Sequence, residues 1–306
     1  MKNAWRIGWL AGAVALALRG AAGAQVITLT TVEDLDFDRP EAWAMKRTAA
    51  LLMFTSVGPP ADREDGELEL SLESIWNPGL SRGERTVGFK GTKEEDINRL
   101  PVVPRPRLTM GIGFNTTFEL AYIPPVEIEG IEPNVLAVAL ERPVYRCDDL
   151  ILGLRLFGQL GTAKGDITCS EDDARDGIGG CLAPSEDEVQ LNYAGLALTG
   201  GYELPENVGG SLFFGLYAAY LDLEFQVNAL LEGRRFDVRD RTRQMSDGWI
   251  YGLTGGYSRP VGENCRLGVE AFYAPLDVMR GDVQGGDFST ENDSLFNLRA
   301  MLTYEF

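Results

Sequence analysis

The final stretch of the chain, SLFNLRAMLTYEF from Ser294 to Phe306, places an apolar side chain at every second position: Phe296, Leu298, Ala300, Leu302, Tyr304 and Phe306. A repeat of two assigns alternate residues to opposite faces of a strand. This strand therefore has one apolar face and one face carrying Asn297, Arg299, Thr303 and Glu305. A soluble sandwich would turn the apolar face to a core, whereas a membrane barrel would turn it to lipid.

Similar segments recur upstream: ELELSLESIW, PRLTMGIGF, FELAYIP, NVLAVALE, DLILGLRLFGQL, VQLNYAGLALTGGYEL, SLFFGLYAAYLDLEFQV, GWIYGLTGGYS and CRLGVEAFYAPL. With the last strand they make about ten, in a range of roughly eight to twelve, with an even number expected of a barrel. Toward the C-terminus the connections alternate between long, polar ones (residues 162–188, 229–246 and 279–293) and short ones such as PENVG and RPVGEN. Long loops at one end and tight turns at the other are the asymmetry of transmembrane barrels. Two places depart from the pattern. The sixth strand lacks a clean phase, for which a bulge near Gly195 is the expected cause, and residues 77–104 show no clear alternation.

The other end of the chain predicts the compartment. Residues 1–24 combine Lys2 and Arg6, an apolar run from Ile7 to Leu18 and a small-residue Ala22-Gly23-Ala24 site. This is the layout of a secretory signal peptide, too short for a spanning helix. Residues 25–66 then form an N-terminal periplasmic or lumenal segment, and residues 67–306 the barrel. The chain carries 28 Lys and Arg against 46 Asp and Glu, a net charge of −18, which argues against nucleic acid as a partner.

The signal-like leader, the alternating strands and the terminal YEF resemble bacterial outer-membrane β-barrel proteins, with no individual family indicated. The resemblance implies a porin-like, all-β, up-and-down antiparallel barrel in the outer membrane of a Gram-negative bacterium, in contact with membrane lipid and lipopolysaccharide. It also implies that Phe306 is read by the barrel-assembly machinery.

If the apolar set faces lipid, strand phase turns Glu67, Glu69, Glu73, Arg107, Glu119, Arg155, Glu270, Arg299 and Glu305 to the lumen, with Asp222 and Glu224 from the seventh strand. Buried charges of this kind must pair or meet water. Closure sets the last strand beside the first, so Arg299 is expected near Glu270 and Glu67 or Glu69, and Arg107 near Glu73. A short helix over residues 39–54, opened by a capping-box-like Asp38 and Glu41, is placed in or under the lumen. Its Trp43, Lys46 and Arg47 are plug candidates, the two cations being expected to meet the acidic first strand. Architecturally this resembles autotransporter translocators and long-chain fatty-acid transporters, whose N-terminal segments occupy the lumen.

Two loops stand out. Cys169 and Cys181 bracket an acidic stretch and read as a disulfide in an oxidising compartment, while Cys147 and Cys265 fall in separate short turns and are left unpaired. Arg234, Arg235, Arg239, Arg241 and Arg243 reverse the prevailing charge and suit lipopolysaccharide phosphates, or else pair within their own hairpin. The chain contains no histidine, so a serine or cysteine nucleophile lacks its usual base. No enzyme, cofactor or metal is expected. The function expected is a narrow porin-like channel or binding barrel for small polar solutes or ions; the alternative is a sealed structural barrel whose loops bind lipopolysaccharide or a partner.

Overall fold

The computed structural model describes residues 26–282 and 287–306; the signal-peptide expectation over residues 1–24 lies outside the described residues. Ten antiparallel strands form the barrel: β1 (Leu68–Trp76), β2 (Val102–Gly111), β3 (Thr117–Ile123), β4 (Ile131–Cys147), β5 (Leu150–Gly165), β6 (Asp187–Glu203), β7 (Ser211–Gln226), β8 (Arg243–Pro260), β9 (Cys265–Ala274) and β10 (Leu295–Glu305). Each pairs with the next, and β10 closes on β1 through a register running from Arg299 opposite Ile75 to Glu305 opposite Glu69. The connections 112–116, 148–149, 204–210 and 261–264 lie at one end, taken as periplasmic, and 124–130 with the four long ones at the other, taken as extracellular.

The two faces differ as lipid and lumen require. Leu72, Leu154, Leu196, Leu216, Leu253 and Leu298 stand exposed on the outside, while residues one step away are buried. Aromatic pairs mark both borders of this belt. Tyr220 meets Trp249 edge-on near the long-loop end (5.6 Å between centroids), and Tyr304 meets Phe306 at the other (5.0 Å), an interfacial girdle. Beyond Tyr220, β7 rises clear of the belt. Asp222 and Glu224 consequently face outward, not into the lumen, and Glu224 takes two 2.7 Å bonds from Arg243. Their inward neighbours Leu221 and Leu223 are buried where the lumen holds an apolar helix.

β6 keeps a continuous register with β7 from Glu188 to Glu203, so there is no bulge at Gly195; the shift occurs in β4, between Pro143 and Tyr145. β2 starts earlier than its apolar pattern suggests. Pro104 and Pro106 lie where β2 pairs with β1 alone, because β3 joins only from Arg107 onward. A one-sided stretch tolerates residues without an N–H. β4 is likewise one-sided over residues 131–134, since β3 ends at Ile123 opposite Val135. The sheet thus has a notch between β2 and β4 toward the long-loop end.

Helix α1 (Pro40–Leu51) lies inside the long-loop half of the barrel. Proline at its first position needs no amide partner. Arg39 occupies the N-cap without a side-chain capping bond, so the expected Asp38–Glu41 box does not form; Glu41 instead accepts the Lys90 amide at 2.6 Å. Ahead of α1, Val26–Leu29 pairs in parallel with Asp237–Asp240, and Val32–Asp34 with Arg243–Met245. The segment 26–39 therefore sits among the long loops, not beneath the barrel.

Candidate functional site

After Leu51 the chain leaves the helix and passes down the lumen axis. A helix end leaves its last carbonyls without intrahelical partners, and here arginines from the wall take them. Arg299 donates to the carbonyls of Leu51 (3.2 Å) and Met53 (2.5 Å), Arg105 to that of Leu52 (2.7 Å), and Arg107 to that of Thr55 (2.8 Å). The helix therefore ends at Leu51, short of Phe54, and residues 52–60 form the plug. Phe54 is fully buried, with the guanidinium groups of Arg105, Arg107 and Arg155 at 5.0, 4.4 and 5.1 Å from its ring centre, contacts that strengthen when water is excluded. Tyr193 donates to the Leu52 carbonyl and accepts the Phe54 amide at 2.8 Å.

The same arginines are neutralised in place. Glu73 receives Arg105 through both oxygens (2.7 and 3.0 Å) and Arg107 at 2.6 Å. Glu119 receives Arg155 and, at 3.5 Å, Arg107; Glu141 lies 3.4 Å from Arg155 and accepts from Thr199 at 2.6 Å. Glu270 accepts from Thr55 at 2.6 Å and lies 3.7 Å from Arg299. All eight residues are buried, none more than 6% exposed, so the central lumen is a packed, charge-balanced layer with the plug built into it.

Inward glycines clear the plug's path. A Cβ at Gly268 would approach the Val57 carbonyl to 2.7 Å, one at Gly201 would reach Pro59 at 2.4 Å, and one at Gly153 Pro60 at 2.8 Å. Val57 itself has φ of 48° and is buried, a left-handed conformation costly for a β-branched residue. Lower still, Arg63 of the descending segment meets Glu67 and Glu69, and Arg266 bonds Glu69 and Glu305. Glu67 and Glu305 are thus half-buried at the short-turn end rather than part of the central layer. Arg299 meets Glu73 (3.8 Å) and Glu270, not Glu67 or Glu69.

Sequence reasoning passed over Arg105 and Glu141. Arg105 hides between prolines 104 and 106, although the two arginines of PRPR share one strand phase with Thr109. Glu141 follows Ala137 and Ala139 at the same spacing, but the apolar alternation stops at Leu140. The helix cations do not meet the first strand. Lys46 donates to the carbonyls of Phe37 and Asp277 (2.8 and 2.9 Å), Arg47 to Asn77 Oδ1 and the Pro78 carbonyl (3.3 and 3.0 Å), and Trp43 to the Asp293 carbonyl (3.2 Å). All three tie α1 to the long loops.

Above the charged layer, between α1 and the β2–β7 wall, lies a cavity of about 310 Å³. Ala44, Met45, Leu51, Val103, Val135 and Leu191 line it, and Ile123, Ile131 and Pro133 place it behind the notch in the sheet. Glu95 also borders it from the 77–101 loop. Burial pushes this carboxyl up to about 8, against the pull of Lys93 at 2.8 Å.

In the loops, Cys169 and Cys181 form a disulfide (Cα–Cα 5.7 Å), and Cys147 and Cys265 are free. Arg234, Arg235 and Arg241 are exposed. Arg239 instead donates to Asn228 (3.3 Å) and Arg243 is held by Glu224. Among the described residues no cluster of His, Cys, Asp and Glu suits a metal ion.

No protein-family model and no curated protein matches the chain. Among solved structures it is similar to the outer membrane protease OmpT from Escherichia coli, at 11% identity over 79% of this chain and 94% of that one, TM-score 0.37. It is similar to the Ralstonia pickettii toluene transporter TbuX, at 12% identity over 94% and 95%, TM-score 0.34. It is similar also to the translocator domain of the autotransporter NalP from Neisseria meningitidis, at 11% identity over 81% and 91%, TM-score 0.36. Likeness at this level goes no further than barrel architecture, and the chain is an outer-membrane β-barrel by its own closed sheet, apolar belt and aromatic borders.

Proposed function

We propose that this barrel is a plugged binding barrel whose long-loop half takes up a small, largely apolar molecule, with passage through the lumen dependent on movement of residues 52–60. The observation that carries the reading is the division of the lumen. The central arginines and glutamates are paired with one another and bound to the plug, whereas the open volume, about 310 Å³, is lined mainly by aliphatic side chains. Small-molecule sites have this character. An apolar solute therefore replaces the polar solute expected from the sequence, and the notch between β2 and β4 supplies a side approach. Binding rather than catalysis is proposed, since the chain holds no histidine and the central carboxylates are engaged by arginines. Lipopolysaccharide phosphates remain proposed partners of the exposed Arg234, Arg235 and Arg241.

The test uses the barrel reconstituted in lipid nanodiscs, with the fluorescence of N-phenyl-1-naphthylamine read above that of empty nanodiscs. Saturable binding is expected in the native chain, with strong loss in Ala163→Phe, which fills the cavity. Equal binding in both would reject the site. A second reading, a sealed structural barrel, is favoured by the charge-balanced central layer. It predicts no saturable binding and no conductance in planar bilayers before or after deletion of residues 26–60, whereas the plugged barrel is silent intact and conducts once truncated.

A further inference from the structure

Five arginines of the described residues are nearly inaccessible: Arg47, Arg105, Arg107, Arg155 and Arg299, none above 4% exposure. Four of them meet glutamates of the central layer. Arg47 meets no carboxylate within 4.0 Å among the described residues, and it is the one that borders the cavity. Its two terminal nitrogens donate to neutral acceptors, Asn77 Oδ1 and the Pro78 carbonyl; Nε has no protein partner among the described residues. The buried acids of the same cavity are engaged elsewhere. Glu41 faces Arg39 at 3.3 Å and accepts the Lys90 amide, and Glu95 lies against Lys93. Glu84, which caps Ser81, contributes only a more distant attraction to Arg47.

A buried guanidinium without a counter-ion is costly, and a bound anion would offset that cost. We infer that the molecule taken up is a monocarboxylate with an apolar body, its carboxylate set against Arg47 and its apolar part among Met45, Leu51, Val135 and Leu191. This rests on the cavity reading proposed above and adds the chemical class. Arg47 supplies the charge, and Asn77 positions it by accepting from both terminal nitrogens.

Octanoate and 1-octanol, of the same chain length, are the probes, each competing with N-phenyl-1-naphthylamine in nanodiscs at neutral pH. Octanoate is expected to bind the native barrel on the order of tenfold more tightly than octanol, the scale of one charge-assisted hydrogen bond. Arg47→Met should lower octanoate binding far more than octanol binding, so that the preference disappears, and Arg47→Lys should restore part of it; heat-modifiable migration confirms a folded barrel in each. Equal binding of the two probes by the native chain, or an equal fall for both in Arg47→Met, would overturn the carboxylate inference and leave the cavity standing. No displacement by either probe, together with failure of the Ala163→Phe test, would overturn both.

Discussion

The central and upper parts of the lumen answer the same requirement, an interior without bulk water, in opposite ways. In the centre, four arginines and four glutamates neutralise one another around a strand-like plug. Above it, aliphatic side chains surround a helix and leave a space. Charged layers need every partner in place, because breaking a buried pair leaves an uncompensated ion. Apolar layers tolerate a void at the cost only of lost contacts. The difference teaches where this molecule can change: the centre holds one arrangement, while the upper half can admit a guest without breaking a polar bond.

That contrast can be broken from either side. The largest effect is expected from Glu73→Ala, which strands both Arg105 and Arg107. A loss of about 3–5 kcal/mol should appear in urea unfolding followed by tryptophan fluorescence in lipid vesicles. Phe54→Ala should cost up to about 3–5 kcal/mol through the cavity it opens and free three guanidinium groups. Conductance in planar bilayers should then appear, and a silent variant would place the seal elsewhere. Gly201→Val should cost about 1–3 kcal/mol by driving into Pro59. Protease should consequently cut the 52–60 segment faster, while the barrel still shows heat-modifiable migration.

The smallest effect concerns the rim of the cavity. The fold favours protonated Glu95, so between the ordinary carboxylate range and pH 8 the folded chain binds more protons than the unfolded one. Stability falls as pH rises through that window and levels off above it. Hydrogen exchange in the 77–101 loop should be slower at pH 5 than at pH 8.5 after correction for intrinsic rates, and Glu95→Gln should remove most of that difference.

The barrel was legible because its outer face obeys one rule along most of its strands. Lipid demands apolar side chains at every second residue, which exposed all ten strands, and closure by β10 against β1 followed from topology. The plug was less legible because residues 52–66 follow no period; what specifies their course is the set of glycines opposite them, and a glycine alone does not announce its partner. Arg105 was missed because prolines suggest a loop until the one-sided pairing of β2 is known. Asp222 and Glu224 read as lumenal in the sequence, yet they share the phase of the outward Leu216 and Tyr220, and β7 outruns the membrane and carries them into water. The cavity could not be read at all, since its walls come from one helix, several strands and a loop that meet only in three dimensions.

Arg299 ties the last strand to both the plug and Glu73 of the first strand. One side chain thus serves both the closed ring and its occupant. Residues 51–55 are held from both sides of the β10–β1 seam, by Arg299 of β10 and by Arg105 and Arg107 of β2. The plug therefore works as a clasp: a force that withdraws it must break bonds on both sides of the place where the sheet closes.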